Sequence, residues 1–112
     1  MVDDGIEFDG LAMEQRPLGG AESAVIELVE AWASLGHQVE VRNHCLAPLH
    51  HKGVHWAPLS AGIPGKVDLF ICNLRPKFLK YGAKAGQVIL WVHNPAQYLG
   101  LFIIPLRMAW KR

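Results

Sequence analysis

The clearest pattern of apolar and polar positions begins after a double glycine. From Ala21, apolar positions 21, 24, 25, 28, 31, 32 and 35 recur at three- and four-residue intervals, with Glu22, Glu27, Glu30 and Ser34 mainly between them. That period predicts an amphipathic helix from Ala21 to Leu35. Its ends carry chemical markers. Glu22 falls in the first turn, where a carboxylate meets the positive end of the helix dipole, and Gly36-His37 supplies a C-terminal stop.

Strand patterns flank this helix. Val39-Glu40-Val41 alternates, and Val54 to Leu59 predicts a further short strand. Val67 to Leu74 (VDLFICNL) and Gln87 to Val92 (QVILWV) are continuous apolar runs, as expected of strands covered on both faces. Between them, Asn43 to Gly53 predicts a loop rich in histidine and proline, and SAGIPGK (Ser60 to Lys66) a Pro/Gly connector. Pro76 opens a short helical segment, PKFLKYGAKAG, closed by Gly82 or Gly86. Near the start, Ile6 and Phe8 alternate with Glu7 and Asp9, which predicts a short extended piece between Gly5 and Gly10. The segment from Gln97 to Arg112 is apolar with Pro105 inside it, and predicts one or two short helices. Strands alternating with helices imply βα units, hence an α/β, Rossmann-like parallel sheet with helices on both faces. At 112 residues the expected organisation is a single domain.

Composition removes several classes of function. With 51% apolar and 19% charged residues the chain is not of the disordered class, and a net charge of +1 gives no footprint for nucleic acid. Cys45 and Cys72 both lie in apolar settings, which favours reduced thiols over a disulfide. MVDDGIEFDG is acidic and has neither part of a signal peptide, and the longest apolar run, Leu99 to Leu106, is too short to span a bilayer. A cytoplasmic location is therefore expected.

Candidate chemistry collects at the strand ends. In parallel sheets ligands bind beyond the carboxyl ends of the strands, which selects the Gly19-Gly20 turn, Asn73-Leu74-Arg75 and His93-Asn94, expected along one edge. Gly19 and Gly20 carry no Cβ and precede a helix whose N–H groups and dipole suit an anion. The turn is not a GxGxxG motif, and GIPGK (Gly62 to Lys66) has the wrong spacing for a phosphate loop. Arg75 can meet a phosphate or an acidic acceptor, or stand as a solvated loop cation. His44, Cys45, His50, His51 and His55 fit no established zinc spacing, so no metal site is expected and the histidines are read as titratable loop residues. Tyr98 to Trp110 reads as a helix covering the sheet, in preference to a surface segment that meets a lipid-linked acceptor.

Four stretches resemble the N-terminal domain of GT-B fold glycosyltransferases, most closely the retaining family 4. They are PLGGAE (Pro17 to Glu22), the helix exit LGHQV (Leu35 to Val39), VDLFICN (Val67 to Asn73) and WVHN (Trp91 to Asn94). The resemblance implies that Gly19 and Gly20 lie against the diphosphate and sugar of a nucleotide-sugar donor. It places His93 near the reacting centre, as the catalytic position. Asn94 and Arg75 fall at the neighbouring strand ends and are taken as substrate-binding. The implied reaction transfers a glycosyl group to an acceptor with retention, using the nucleotide-sugar as substrate and no other cofactor. The family has a strand before the glycine turn and a second, nucleotide-binding domain. Here the first strand is expected to be truncated or missing and the second domain absent, so a partial domain, inactive alone, is expected over residues 1–112. The alternatives are a small non-catalytic α/β module that binds a nucleotide or phosphate, and a gene fragment without independent function.

Overall fold

A computed structural model describes residues 1–73 and 85–91. In chain order the elements are β1 (Val2–Asp3), α1 (Ala12–Gln15), α2 (Gly20–Ser34), β2 (Val39–Asn43), β3 (Leu49–His51), β4 (Val54–Pro58), a 3-10 turn (Leu59–Ala61), β5 (Leu69–Asn73) and β6 (Gln87–Trp91). They fall into two compact units, Gly5–Gly62 and Met1–Asp4 with Ile63–Arg112. Three of the six described strands belong to each, and the fold class is α/β.

In the Gly5–Gly62 unit, α2 begins and ends one residue before the predicted bounds. Its end is a Schellman cap: Gly36, at φ +97, donates its N–H to Ala33 O at 3.0 Å, and His37 donates to Trp32 O at 3.2 Å. The stripe that α2 buries is Val25, Ile26 and Val29, rotated from the predicted one, and Leu35 is 74% exposed. The helical period fixes that a stripe exists. Its centre depends on what the helix meets, and the cap turns Leu35 outward.

α2 packs on β2 and β4, which run parallel from Val39↔Val54 to Asn43↔Pro58. Alternate residues Val39, Val41, Val54 and Trp56 are buried, while Glu40, Arg42 and His55 point the other way and are half-buried. Phe8 meets Trp56 edge-on at 5.6 Å, and a Cβ on Gly10 would stand 2.7 Å from Trp56 Nε1, so this glycine is required by close approach. Asn43 Nδ2 donates to Phe8 O at 2.9 Å, and Cys45 N donates to Asn43 Oδ1 at 3.2 Å. These bonds tie the Phe8 segment to the end of β2. That segment bends and does not form the predicted extended piece, so Phe8 is buried and Ile6 exposed. The short α1 follows, with Asp9 Oδ1 accepting from Leu11 N at 2.9 Å.

Two further expectations are corrected here. Leu49–His51, read as loop, is strand β3, antiparallel to β4, so the strands are mixed and not all parallel. The hairpin closes through Lys52 (φ 50) and Gly53 (φ 79), both left-handed as a two-residue type I′ turn requires. Lys52 lacks the usual signal for that position, which is why the turn was not evident from sequence. Of the helices expected on both faces, α2 lies against β2 and β4 on the face that buries Val41 and Trp56, and the helix expected from Pro76 lies mostly outside the described residues.

In the other unit β5 runs parallel to both β1 and β6, with Asp3↔Asn73 and Asn73↔Trp91 as the last register row. β5 is buried over Phe70–Asn73, as its apolar run predicts. β6 alternates instead: Leu90 is buried and Ile89 is 41% exposed, so cover on both faces does not hold for this strand. A first strand is present as the two residues of β1. Most of the Pro76 to Gly86 segment, Arg75, His93, Asn94 and the 97–112 tail lie outside the described residues.

Candidate functional site

The Gly19-Gly20 turn does begin a helix. Gly19 is the N-cap, in extended backbone at φ −66 and ψ 168, exposed, and contributes no side-chain cap. Its carbonyl accepts from Ser23 N at 3.0 Å, the first bond of the helical ladder. Neither glycine has the left-handed φ that would explain its presence by backbone freedom. A Cβ on Gly20 would meet nothing within 4 Å, whereas one on Gly19 would stand 2.6 Å from Glu22 Oε1. The carboxylate of Glu22, three residues into the helix from its cap, thus folds back over the turn. What the glycines supply is an uncovered helix start, and one wall of it carries a negative charge of the chain's own.

At the other predicted position, Asn73 ends β5. It lies beside Asp3 at the end of β1, and Asn73 Nδ2 donates to Asp3 Oδ1 at 3.0 Å. Asp3 is 3% and Asn73 2% exposed. A carboxylate buried at the carboxyl end of parallel strands needs such a donor, because desolvating an unpaired charge there costs several kcal/mol, roughly. Little in the sequence marks Asp3, which falls in an acidic, patternless start. Its one signal is position, directly after the buried Val2. Of the residues assigned to the site, Gly19 and Gly20 are described and belong to the Gly5–Gly62 unit. Arg75, His93 and Asn94 are outside the described residues.

A second polar group occupies the outward side of β2, β3 and β4. Glu40 Oε1 lies 2.9 Å from both His55 Nδ1 and Arg42 Nη1, and Arg42 Nε donates to Gly62 O at 2.8 Å. Burial would raise the Glu40 carboxyl, but hydrogen bonds from His55 and Arg42 and their charge outweigh it and hold it below its ordinary value. The His50 and His55 rings stack in parallel, with centroids 4.2 Å apart. His51 points to the other side of β3 and meets Glu14 Oε2 at 2.9 Å. Of the histidines read as loop residues, His50 and His51 stand on β3, while His55 stands on β4, where the Val54 to Leu59 pattern predicts a strand.

The thiols are unsuited to nucleophilic work. Burial raises Cys45, with the Asp9 charge adding to it, and burial pushes Cys72 up to about 12. Both are free. Among the described residues no three His, Cys, Asp or Glu groups converge to hold a metal ion, and no helix is long and apolar enough to cross a membrane.

No protein-family model, curated protein or solved structure matches this chain.

Proposed function

We propose that this chain forms the acceptor-side, N-terminal part of a retaining glycosyltransferase that uses a nucleotide-sugar. The observation that carries the reading is the uncovered start of α2 at Gly19-Gly20, with no side-chain cap and open space beside Gly20. A diphosphate placed there would meet unpaired N–H groups and the positive end of a 15-residue helix. The α/β class and the resemblance of PLGGAE, LGHQV, VDLFICN and WVHN support the same reading. In it His93 acts at the reacting centre, Asn94 and Arg75 contact substrate, and a second domain recognises the nucleoside. Glu22 tunes the seat, since an arriving diphosphate must displace its carboxylate.

The same open helix start also suits a non-catalytic module for phosphate ligands. Titration of the 112-residue chain with UDP, followed by backbone NMR, separates the two. Because the nucleoside contacts belong to the second domain in the transferase reading, it expects the Gly19, Gly20 and Ala21 amides to shift weakly, and alike, with UDP and inorganic phosphate. Gly19→Val should suppress the response, because its side chain meets the Glu22 carboxylate and covers the turn. A tight, saturable response to UDP from the chain alone favours the module. Amides that do not move with either overturn both.

A further inference from the structure

Cross-strand register brings two imidazoles together that the sequence separates. His50 on β3 and His55 on β4 are directly paired in an antiparallel ladder. The two-residue turn makes His51↔Val54 the hydrogen-bonded pair next to it, so by alternation His50↔His55 is a non-hydrogen-bonded pair, where side chains stand closest. Their rings are 4.2 Å apart and within 3° of parallel. On the far side of His55, its register partner Glu40 takes the ring's Nδ1 at 2.9 Å.

That last contact decides which nitrogen of His55 is available. An ionised carboxylate only accepts hydrogen bonds, so Nδ1 is the donor, and in the neutral ring the lone pair is left on Nε2. A carboxylate on the second nitrogen is the usual partner of a metal-binding histidine, fixing its tautomer and orientation. Glu40 is itself fixed by Arg42, which is anchored on Gly62 O, so the carboxylate's charge is balanced and its position set. The His50 side chain is exposed and makes no hydrogen bond among the described residues, so its ring is free to turn from the stack.

We infer that His50 and His55 form a two-histidine site for a divalent transition-metal ion of the imidazole-preferring class, with water filling the other positions. The ion binds the lone pair of His55 Nε2 and one nitrogen of His50, at about 2.0–2.1 Å if it is zinc, after the His50 ring rotates to bring its in-plane lone pair to bear. Glu40 acts as the positioning residue and is not a ligand. The site is independent of the glycosyltransferase reading and shares no residue with it.

The test is calorimetric titration of the 112-residue chain with Ni2+ at neutral pH, with Mg2+ as the oxygen-preferring control. One Ni2+ should bind, and Mg2+ should not compete. His50→Ala and His55→Ala should each weaken binding by more than about tenfold, and Glu40→Gln by about tenfold. His37→Ala and His44→Ala should change nothing. Thermal unfolding of each variant without metal checks the fold, and added Ni2+ should raise the wild-type midpoint but not that of His50→Ala. Paramagnetic broadening should centre on His50 and His55. Unchanged affinity in either of these two alanine variants, or broadening centred on other residues, overturns the proposal.

Discussion

Strands β2 and β4 present two faces built by alternate residues of the same two segments. The inward face is Val39, Val41, Val54 and Trp56 against α2, and it is buried. The outward face is the half-buried Glu40, Arg42 and His55, joined from β3 by the exposed His50, in a chain of hydrogen bonds and stacked rings. The two faces derive their stability differently. Burial on the inward face depends on how much apolar surface leaves water, and is indifferent to which strand supplies it. Contacts on the outward face depend on register, since a shift of one residue would take His55 away from both Glu40 and His50.

The sharpest way to break this comparison is to empty the inward face. Trp56 is fully buried against Phe8 and Gly10, and Trp56→Ala should cost about 3–5 kcal/mol. Urea unfolding at neutral pH measures it. Trp56→Phe should cost much less, because the indole Nε1–H is buried without a hydrogen-bond partner among the described residues, and the smaller ring removes that orphan. Equal losses for the two substitutions would mean that the indole nitrogen, not the area, holds this face.

The inward face was legible in the sequence and the outward face was not, for a physical reason. VEV and VHW state their alternation locally, and the α2 period with its Gly36 stop is equally local, so strands and helix were placed to within a few residues. Even there the stripe was displaced towards Ile26 and Val29, because the partner that selects it lies elsewhere in the chain. His50, His55 and Glu40 occupy three different strands, and no spacing along the chain announces their meeting. The left-handed Lys52 concealed the hairpin that aligns them. Asp3 with Asn73 shows the same limit, as two polar residues 70 positions apart that form one buried pair. For the candidate site, the helix start was legible because capping is local, and so was the absence of a Cβ at its two glycines, but the Glu22 carboxylate folded over them was not. Their φ values are ordinary, and openness beside the Glu22 carboxylate is what distinguishes them.

The outward face answers to pH where the inward one does not. The Glu40 carboxyl is held below its ordinary value of 4.5 in the folded chain, with burial opposing the shift and His55 and Arg42 producing it. A lowered folded-state value means that the stabilisation is fully present above 4.5 and is lost as pH falls through the lowered value. Glu40 is 26% exposed on its side chain, so solvent screening keeps the contribution to about 1 kcal/mol or less. Glu40→Gln should therefore lower the urea midpoint slightly at neutral pH, with the gap to wild type closing in acid. A gap that widens in acid would show that the carboxylate is not what holds this face.

The smallest expected effect lies at the turn that aligns the two histidines. Lys52 adopts φ 50, which is uncommon for a residue with a long side chain, whereas asparagine tolerates it. The change also removes an exposed ion pair between Lys52 Nζ and Glu30 Oε1 at 3.8 Å, a contact worth a few tenths of a kcal/mol, roughly. Relief of the backbone outweighs that loss, so Lys52→Asn should stabilise the chain by about 0.5 kcal/mol and raise its thermal midpoint. The gain should survive at high salt, where the lost ion pair would have been screened in any case. A midpoint that falls at low salt and recovers at high salt would mean that charge, not the left-handed backbone, governs this turn. The register of His50 against His55 would then depend on a contact outside the hairpin.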